Sequence, residues 1–361
     1  MENLFTTIPP PVAHKKDGQL TQQQLEQFFT DGFVILPDYI THEKLEACRG
    51  AMDAMVDTLA DKLYKAGKIS DRCEGYGFRD RLIHLDKAFP GAAVLIHKAT
   101  RCPDAFKAIW CDERLLNVVE QLIGPNIAGH PVWNLRSKIP QNEQLTVPWH
   151  QDAAYLSPEA DRTLTVTAWV PLVDANLTNG CLQMVRGGHR REKVAEHVCC
   201  AGNTWYVDLP EDEMQRTLGV DLSRDVVTCE FGVGGVLLFN NLIPHRSLQN
   251  RSDGIRWSLD LRWFNPTQPT GFWGLVPPVM MRDASRPGLS IDWSSTETDR
   301  HTTQGGGKGE TEVAGGDGDD SEFDTTNGGP WMERWRVTHE NRHTRAYLDR
   351  KASKGRWTGG Q

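Results

Sequence analysis

Val147-Pro148-Trp149-His150-Gln151-Asp152 is the stretch on which the reading of this chain turns. It follows residues that read as a strand, and it sets a histidine and an aspartate two positions apart. Side chains alternate along a strand, so positions i and i+2 leave the same face. An imidazole and a carboxylate on one face are two corners of a metal site. Both suit Fe(II) when a second histidine completes a facial triad that leaves coordination positions open. Alone, H-x-D is more often an ordinary hydrogen-bonding pair, so the assignment needs a distant histidine and an anion-binding residue.

Both lie in one segment, Asn240-Asn241-Leu242-Ile243-Pro244-His245-Arg246-Ser247 followed by Ile255-Arg256-Trp257-Ser258. The alternation of this second strand puts Arg256, Ser258 and Asp260 on one face and Ile255, Trp257, Leu259 and Leu261 on the other. A lone arginine turned into a small barrel is a costly unpaired charge. A dicarboxylate ligand removes that cost, because guanidinium binds carboxylate through two parallel hydrogen bonds. Arg262 has the same parity as Arg256 but lies about 20 Å further along an extended strand, too far for the same carboxylate.

The rest of the chain supplies a setting. Residues 1–20 read as an irregular arm. Thr21-Gln22-Gln23-Gln24 is a capping box that opens a helix, Asp31-Gly32 stops it, and Phe33-Val34-Ile35-Leu36 reads as a short buried strand. Thr41 caps a longer helix carrying Leu45, Cys48, Met52, Met55, Val56 and Leu59 at helical spacing. Arg79, Arg81 and His84 read as a solvated basic face. One further helix runs from Pro103-Asp104 to Gly124-Pro125. The region 21–125 is thus mainly helical, and 130–265 is a succession of short alternating strands: Val132–Ile139, Thr163–Leu172, Cys181–Val185, Val226–Phe231, Gly235–Phe239 and Ile255–Trp263. Strands of this length separated by turns such as Asn179-Gly180 point to a barrel or jelly roll. Helices before strands, without βαβ alternation, argue against a Rossmann arrangement. Residues 301–330 are acidic and Gly-rich and read as a disordered loop, and 331–361 as a closing helix, Trp331 to Asp349, and tail. Tyr155 and Trp205 fit either a substrate pocket or ordinary packing.

Composition narrows the function. The 361 residues carry a formal charge of −8, which argues against a phosphate-backbone binder. No apolar run is long enough for a membrane span. The sequence begins without the pattern of a signal peptide and ends without a peroxisomal tripeptide or prenylation box. The eight cysteines form no C-x-x-C pair. The expectation is a cytoplasmic protein with eight reduced thiols, a monomer or homodimer acting on a small molecule.

His150-x-Asp152, His245, Ser247 and Arg256, in this order and spacing, resemble the phytanoyl-CoA dioxygenase family of Fe(II)/2-oxoglutarate oxygenases. Trp169-Val170-Pro171-Leu172, Asn179-Gly180-Cys181-Leu182 and Arg186-Gly187-Gly188-His189 resemble its middle segment, and Phe28-x-x-Asp31-Gly32-Phe33-Val34 its N-terminal one. The resemblance covers about residues 20–275; the acidic loop and Arg186, where proline is usual, depart from it. It implies an α+β, mainly β fold, a double-stranded β-helix (jelly-roll, cupin-like) with N-terminal helices packed on one sheet, in a single domain over 21–300. It further implies Fe(II) held by His150, Asp152 and His245, and 2-oxoglutarate whose far carboxylate meets Arg256 and Ser247. Trp169 would wall the pocket, and Asn134 or Arg136 would reach the cosubstrate from the first barrel strand. O₂ would be consumed and ascorbate would support turnover. The implied reaction is hydroxylation of an unactivated C–H, releasing succinate and CO₂; related halogenases carry a small residue in place of Asp152. Two other classes stay open: a cupin-like metal enzyme or small-ligand barrel that does not need Arg256, and a catalytically silent member that only binds.

Overall fold

The alternation visible in residues 255–263 organises the whole molecule. In the computed structural model, which describes residues 3–11, 15–99, 101–297 and 320–353, the N-terminal part supplies α1 (Gln22–Asp31), β1 (Phe33–Leu36), α2 (His42–Lys65), α3 (Arg81–Ala88), α4 (Ala92–His97), α5 (Asp104–Trp110) and α6 (Glu113–Ile123). The strands β2 (Ile127–Gly129), β3 (Asn134–Lys138), β4 (Thr165–Pro171), β5 (Leu182–Val185), β6 (Val198–Cys199) and β7 (Val207–Asp208) follow. After α7 (Glu211–Leu218) and α8 (Leu222–Asp225) come β8 (Val226–Cys229), β9 (Val236–Asn240), β10 (His245–Ser247), β11 (Arg256–Phe264) and β12 (Val279–Arg282). The last described part holds α9 (Trp331–Arg334), β13 (Arg336–Val337) and α10 (Arg342–Ser353).

The large sheet runs β1-β9-β4-β11-β2-β12, with β3 beside β2 on the same edge of β11. A smaller sheet runs β10-β5-β8. All pairings in both are antiparallel. Trp169, Leu237 and Phe239 from the large sheet pack against Leu182, Met184 and Cys229 from the small one, which closes a jelly roll. The other face of β11 carries Trp257, Leu259, Leu261 and Trp263 into the helical layer. There the indole N–H of Trp257 donates to Phe78 O at 2.9 Å and that of Trp263 to Trp110 O at 3.1 Å. Each such ring contributes roughly 1.5–3 kcal/mol by burial, and the hydrogen bond removes the cost of an unpaired indole N–H. The helices therefore back one sheet, as expected, and the inner face is left to polar side chains.

Local signals account for most boundaries. Thr21 and Gln24 form the reciprocal cap of α1. Gly32 ends it at φ 93°, where a Cβ would stand 2.6 Å from the His189 ring, so both conformation and space call for glycine. The single helix expected over 103–122 is two, because the Asp112 side chain accepts from the Arg114 and Leu115 N–H groups and starts α6 anew. Residues 65–99, without a clear pattern in sequence, contain α3 and α4. Arg81 of the expected solvated face pairs with Asp57.

Two expectations near the C-terminus are overturned. Residues 301–319 of the loop lie outside the described residues, but from 320 on the chain is held against the body. Lys98 Nζ donates to Asp324 O at 2.6 Å and Thr326 O at 2.8 Å. The closing helix expected over 331–349 is broken: β13 pairs in parallel with β6, and Asn341 accepts from the His343 and Thr344 N–H groups to start α10. Trp331 and Met332 are buried. Tertiary burial outweighs a weak helical pattern here, and residues 322–337 form a strap across the barrel. Its anchor is Arg334, which donates to both Asp161 carboxylate oxygens at 2.8 Å, to Ala153 O at 3.0 Å and to Leu156 O. Cys199 and Cys200 are joined as a disulfide, contrary to the expectation of eight reduced thiols; adjacency sets their sulfurs side by side, and no other disulfide is present among the described residues. No helix among the described residues is long and apolar enough to cross a membrane.

Burial depresses the pKa of several histidines outside the site. His130, His189 and His343 are each pushed down to about 4, with loss of solvent the largest cause. An unfolded histidine takes up its proton near 6.5. Between about pH 6.5 and about 4 the unfolded chain therefore binds more protons than the folded one, and stability falls as pH is lowered through that window. Urea unfolding in the presence of a chelator is expected to give a lower midpoint at about pH 5 than at about pH 7, and His189→Gln to flatten the difference.

Candidate metal and cosubstrate site

His150 sits where residues 147–150 run antiparallel to β10. His150 N donates to His245 O at 3.0 Å, and His245 N to His150 O at 2.9 Å. The two imidazoles are thus cross-strand neighbours, with ring centroids 4.1 Å apart. Asp152 is not on that strand. It opens a 3-10 turn, Asp152–Tyr155, so the shared-face argument drawn from an extended H-x-D does not describe how the pair meets. The turn swings the carboxylate back instead, and Asp152 Oδ1 lies 3.6 Å from His150 Nε2 and 3.8 Å from His245 Nε2. All three are buried, with ligand atoms mutually within 4.8 Å.

The backbone fixes which atoms face inward. His150 Nδ1–H donates to Pro148 O at 2.9 Å and His245 Nδ1–H to Ile243 O at 3.1 Å, so the Nε2 lone pairs are the ones that converge. Burial first, then the neighbouring His150, pushes His245 down to about 3, which leaves it an uncharged donor. Asp152 uses its second oxygen elsewhere. Oδ2 accepts from Arg262 Nε at 3.0 Å, Arg262 Nη2 at 2.9 Å and Thr167 Oγ1 at 3.1 Å. Burial alone would raise the carboxyl; Arg262 and the two imidazoles outweigh it and hold it well below the usual carboxylate range. Two imidazoles with converging Nε2 atoms and one carboxylate oxygen are the donor set of a facial triad, and they fit Fe(II).

The same cavity, about 560 Å³, continues to a second group of residues. Arg256 and Lys138 are cross-strand partners on β11 and β3. Arg256 makes no ion pair among the described residues; its Nη1 donates to Ser258 Oγ at 2.6 Å, and its Nε is buried without a partner. Its guanidinium carbon lies 5.1 Å from the Trp169 ring. Burial pushes it down to about 10, Asp260 acting in the opposite sense. Lys138 Nζ donates to Ser247 Oγ at 2.8 Å and Leu248 O at 2.6 Å, both uncharged acceptors, and burial followed by the Arg256 charge drives it well below the ordinary lysine range. Two cations placed together with only neutral acceptors are costly unless an anion joins them. One end of a dicarboxylate such as 2-oxoglutarate fits that demand, and its other end fits beside the three converging ligand atoms.

His150, Asp152, His245, Trp169, Ser247 and Arg256 therefore line one cavity. Asn134 does not. The register pairs Lys138 with Arg256 and Asn134 with Asp260, so Asn134 is displaced along β3 and lines an adjoining larger chamber. Arg136 borders both. Sequence reasoning missed Lys138, although the alternation of β3 already placed it on the face of Asn134 and Arg136. It also set Arg262 aside as too distant, although the same parity turns that side chain inward, where it serves a different carboxylate.

Arg262→Gln removes both guanidinium donors from Asp152. Loss of a hydrogen-bonding partner behind a metal ligand costs about 10–100-fold in affinity, so Mn(II) binding measured calorimetrically is expected to weaken by that factor. Unchanged affinity would show that Thr167 alone orients the carboxylate.

The profile of the phytanoyl-CoA dioxygenase (PhyH) family matches residues 28–258. The ectoine dioxygenase of Halomonas elongata is 28% identical over 246 residues, 67% of this chain and 62% of that protein, so the chain spans less than two thirds of that relative's length. The phytanoyl-CoA dioxygenase of Arabidopsis thaliana is 21% identical over 274 residues, 67% of this chain and 93% of that one. Among solved structures, EctD from S. alaskensis with bound Fe aligns with a TM-score of 0.48 at 18% identity, covering 73% of this chain and 85% of that one. With the family profile matched over most of its length, the chain belongs to the phytanoyl-CoA dioxygenase family of iron- and 2-oxoglutarate-dependent oxygenases.

Proposed function

We propose that this protein hydroxylates an unactivated C–H bond of a small organic molecule, with Fe(II) held by His150, Asp152 and His245 and 2-oxoglutarate held by Arg256, Lys138 and Ser247. The observation that carries this reading is a single cavity with three convergent ligand atoms at one end and, at the other, a buried arginine and a buried lysine of which neither forms an ion pair among the described residues. When bound, iron, 2-oxoglutarate and O₂ supply the oxidising power that inserts one oxygen atom, with release of succinate and CO₂.

The protein's own part is positioning and exclusion. The carbonyls of Pro148 and Ile243 orient the imidazoles, and Arg262 and Thr167 orient Asp152. Trp169, with the guanidinium of Arg256 over its ring, forms a flat wall for the cosubstrate and keeps water from that end. Asp152, rather than a small residue, occupies the third ligand position, which supports hydroxylation over halogen transfer. The adjoining chamber, about 930 Å³, shares Asp152 and Arg262 with the smaller cavity, so a substrate held there faces the metal ligands.

Purified protein with Fe(II), ascorbate and 2-oxoglutarate is expected to form succinate slowly even without substrate, and His150→Ala to abolish both that turnover and metal binding while the fold survives. An alanine variant with wild-type turnover would overturn the assignment, and a wild-type protein that binds 2-oxoglutarate without forming succinate would be a binding protein instead. Arg256→Gln and Lys138→Met are each expected to weaken 2-oxoglutarate binding by about 30- to 5,000-fold, the equivalent of roughly 2–5 kcal/mol for one lost partner of a buried charge pair. Mn(II) affinity should change little. Arg251→Gln, an exposed control in the turn before β11, should bind 2-oxoglutarate normally.

A further inference from the structure

We propose that the larger chamber selects a carboxylate carried on a flat, ring-bearing body, with Arg136 receiving the carboxylate and the C-terminal strap forming the wall against which the ring lies. This deepens the proposed hydroxylase reading and rests on it for the claim that the bound molecule is the substrate.

The walls set the shape. Tyr155, Trp205, Tyr206, Phe272 and Trp331 line the chamber. Trp331 meets Tyr155 edge to face with centroids 5.4 Å apart, and Trp205 and Tyr206 are 4.8 Å apart. Aromatic walls in edge-on and tilted contact favour a planar guest that can stack or meet their edges. The chamber is the larger of the two adjoining spaces.

The charges set the chemistry. Apart from the metal ligand Asp152, the charged residues lining the chamber are cationic: Lys98, Arg136 and Arg262. Arg262 is committed to Asp152, and Lys98 to the carbonyls of Asp324 and Thr326. Arg136 is committed only in part. Its Nε donates to Asp260 Oδ2 at 2.9 Å, whereas its Nη1 is buried without a hydrogen-bond partner. A guanidinium N–H can only donate, so whatever meets it must accept. The Tyr155 hydroxyl and Thr165 Oγ1 are likewise buried without partners and line the same chamber. Three orphaned polar atoms, one of them obligatorily a donor, match an acceptor such as a carboxylate far better than an amine or an alkyl chain.

The strap that completes this wall lies outside the part matched by the family profile. Trp331 and Asn327 lie beyond residues 28–258, the part matched by the family profile. They are fixed in place by the Trp331 indole N–H on Trp205 O at 3.0 Å and by the Arg334 anchor on Asp161, Ala153 and Leu156. The 3-10 turn that Arg334 grips is the one that presents Asp152, so the wall and the metal ligand share one support.

Indole-3-acetate, indole-3-acetamide and tryptamine share one flat body and differ in the group at its end. Their affinities are to be measured calorimetrically on the full-length protein, with Mn(II) and 2-oxoglutarate present so that the smaller cavity does not take the acid. The acid is expected to bind at least tenfold more tightly than the amide, and the amine most weakly. Arg136→Gln should bring acid and amide to equal affinity, Arg136→Lys should keep part of the preference, and Trp331→Leu should weaken acid and amide by the same factor. Equal wild-type affinity for acid and amide, no binding of any of the three, or a preference that survives Arg136→Gln overturns the proposal. Because the readout is a ratio within each variant, partial unfolding of one variant does not mimic it. Succinate formation, followed in parallel, reports on the hydroxylase reading alone: discrimination without succinate leaves this inference and removes that one, and succinate without discrimination does the reverse.

Discussion

A carboxylate buried between two imidazoles is tolerable only if its charge is met, and Arg262 meets it. Without that guanidinium, burial would favour a protonated Asp152, and a protonated carboxyl is a poor metal ligand. Arg262 in turn is held by the sheet: it lies on β11, flanked by β4 on one edge and by β2 and β3 on the other, and its backbone carbonyl accepts from the Trp110 indole. The helical layer thus fixes the strand, the strand fixes the arginine, and the arginine fixes the ligand that both cavities share.

The inner face of β11 reads, in order, Arg256, Ser258, Asp260, Arg262, and each member has a different task. Arg256, bonded to Ser258, stands beside Lys138, Asp260 pairs with Arg136 where the two spaces adjoin, and Arg262 supports Asp152. Four polar side chains on one strand would be destabilising in a barrel packed only with side chains. Here their charges are matched in pairs across strands, or stand where a dicarboxylate fits, which is the condition under which buried polar groups stabilise a unique arrangement.

The sites where local sequence rules failed are instructive. The stretch 331–349 has a plausible helical pattern, yet it is broken into α9, β13 and α10 because Trp331 gains more by burial beside Trp205 and Tyr155 than by continuing a helix. The composition of 301–330 suggests disorder throughout, yet the part from 322 on is clamped by Lys98, a side chain more than two hundred positions away. Neither clamp nor burial partner is visible within the window over which periodicity is read.

By itself the sequence determined the partition into a helical half and a strand half, the alternation along β3, β4 and β11, and the ordered set His150, Asp152, His245, Ser247 and Arg256. These follow from local rules: capping, alternation, and residue types whose chemistry suits iron and a carboxylate. Only the tertiary structure decided which cation serves which anion. Parity states that Asn134, Arg136 and Lys138 face inward together, but the β3–β11 register states that Lys138, not Asn134, stands beside Arg256. It likewise decided that Asp152 reaches the imidazoles through a 3-10 turn and that the C-terminal strap walls the larger chamber. Register and sheet-on-sheet packing are set by contacts between residues far apart in the chain, and a strand's own alternation carries no record of its partner.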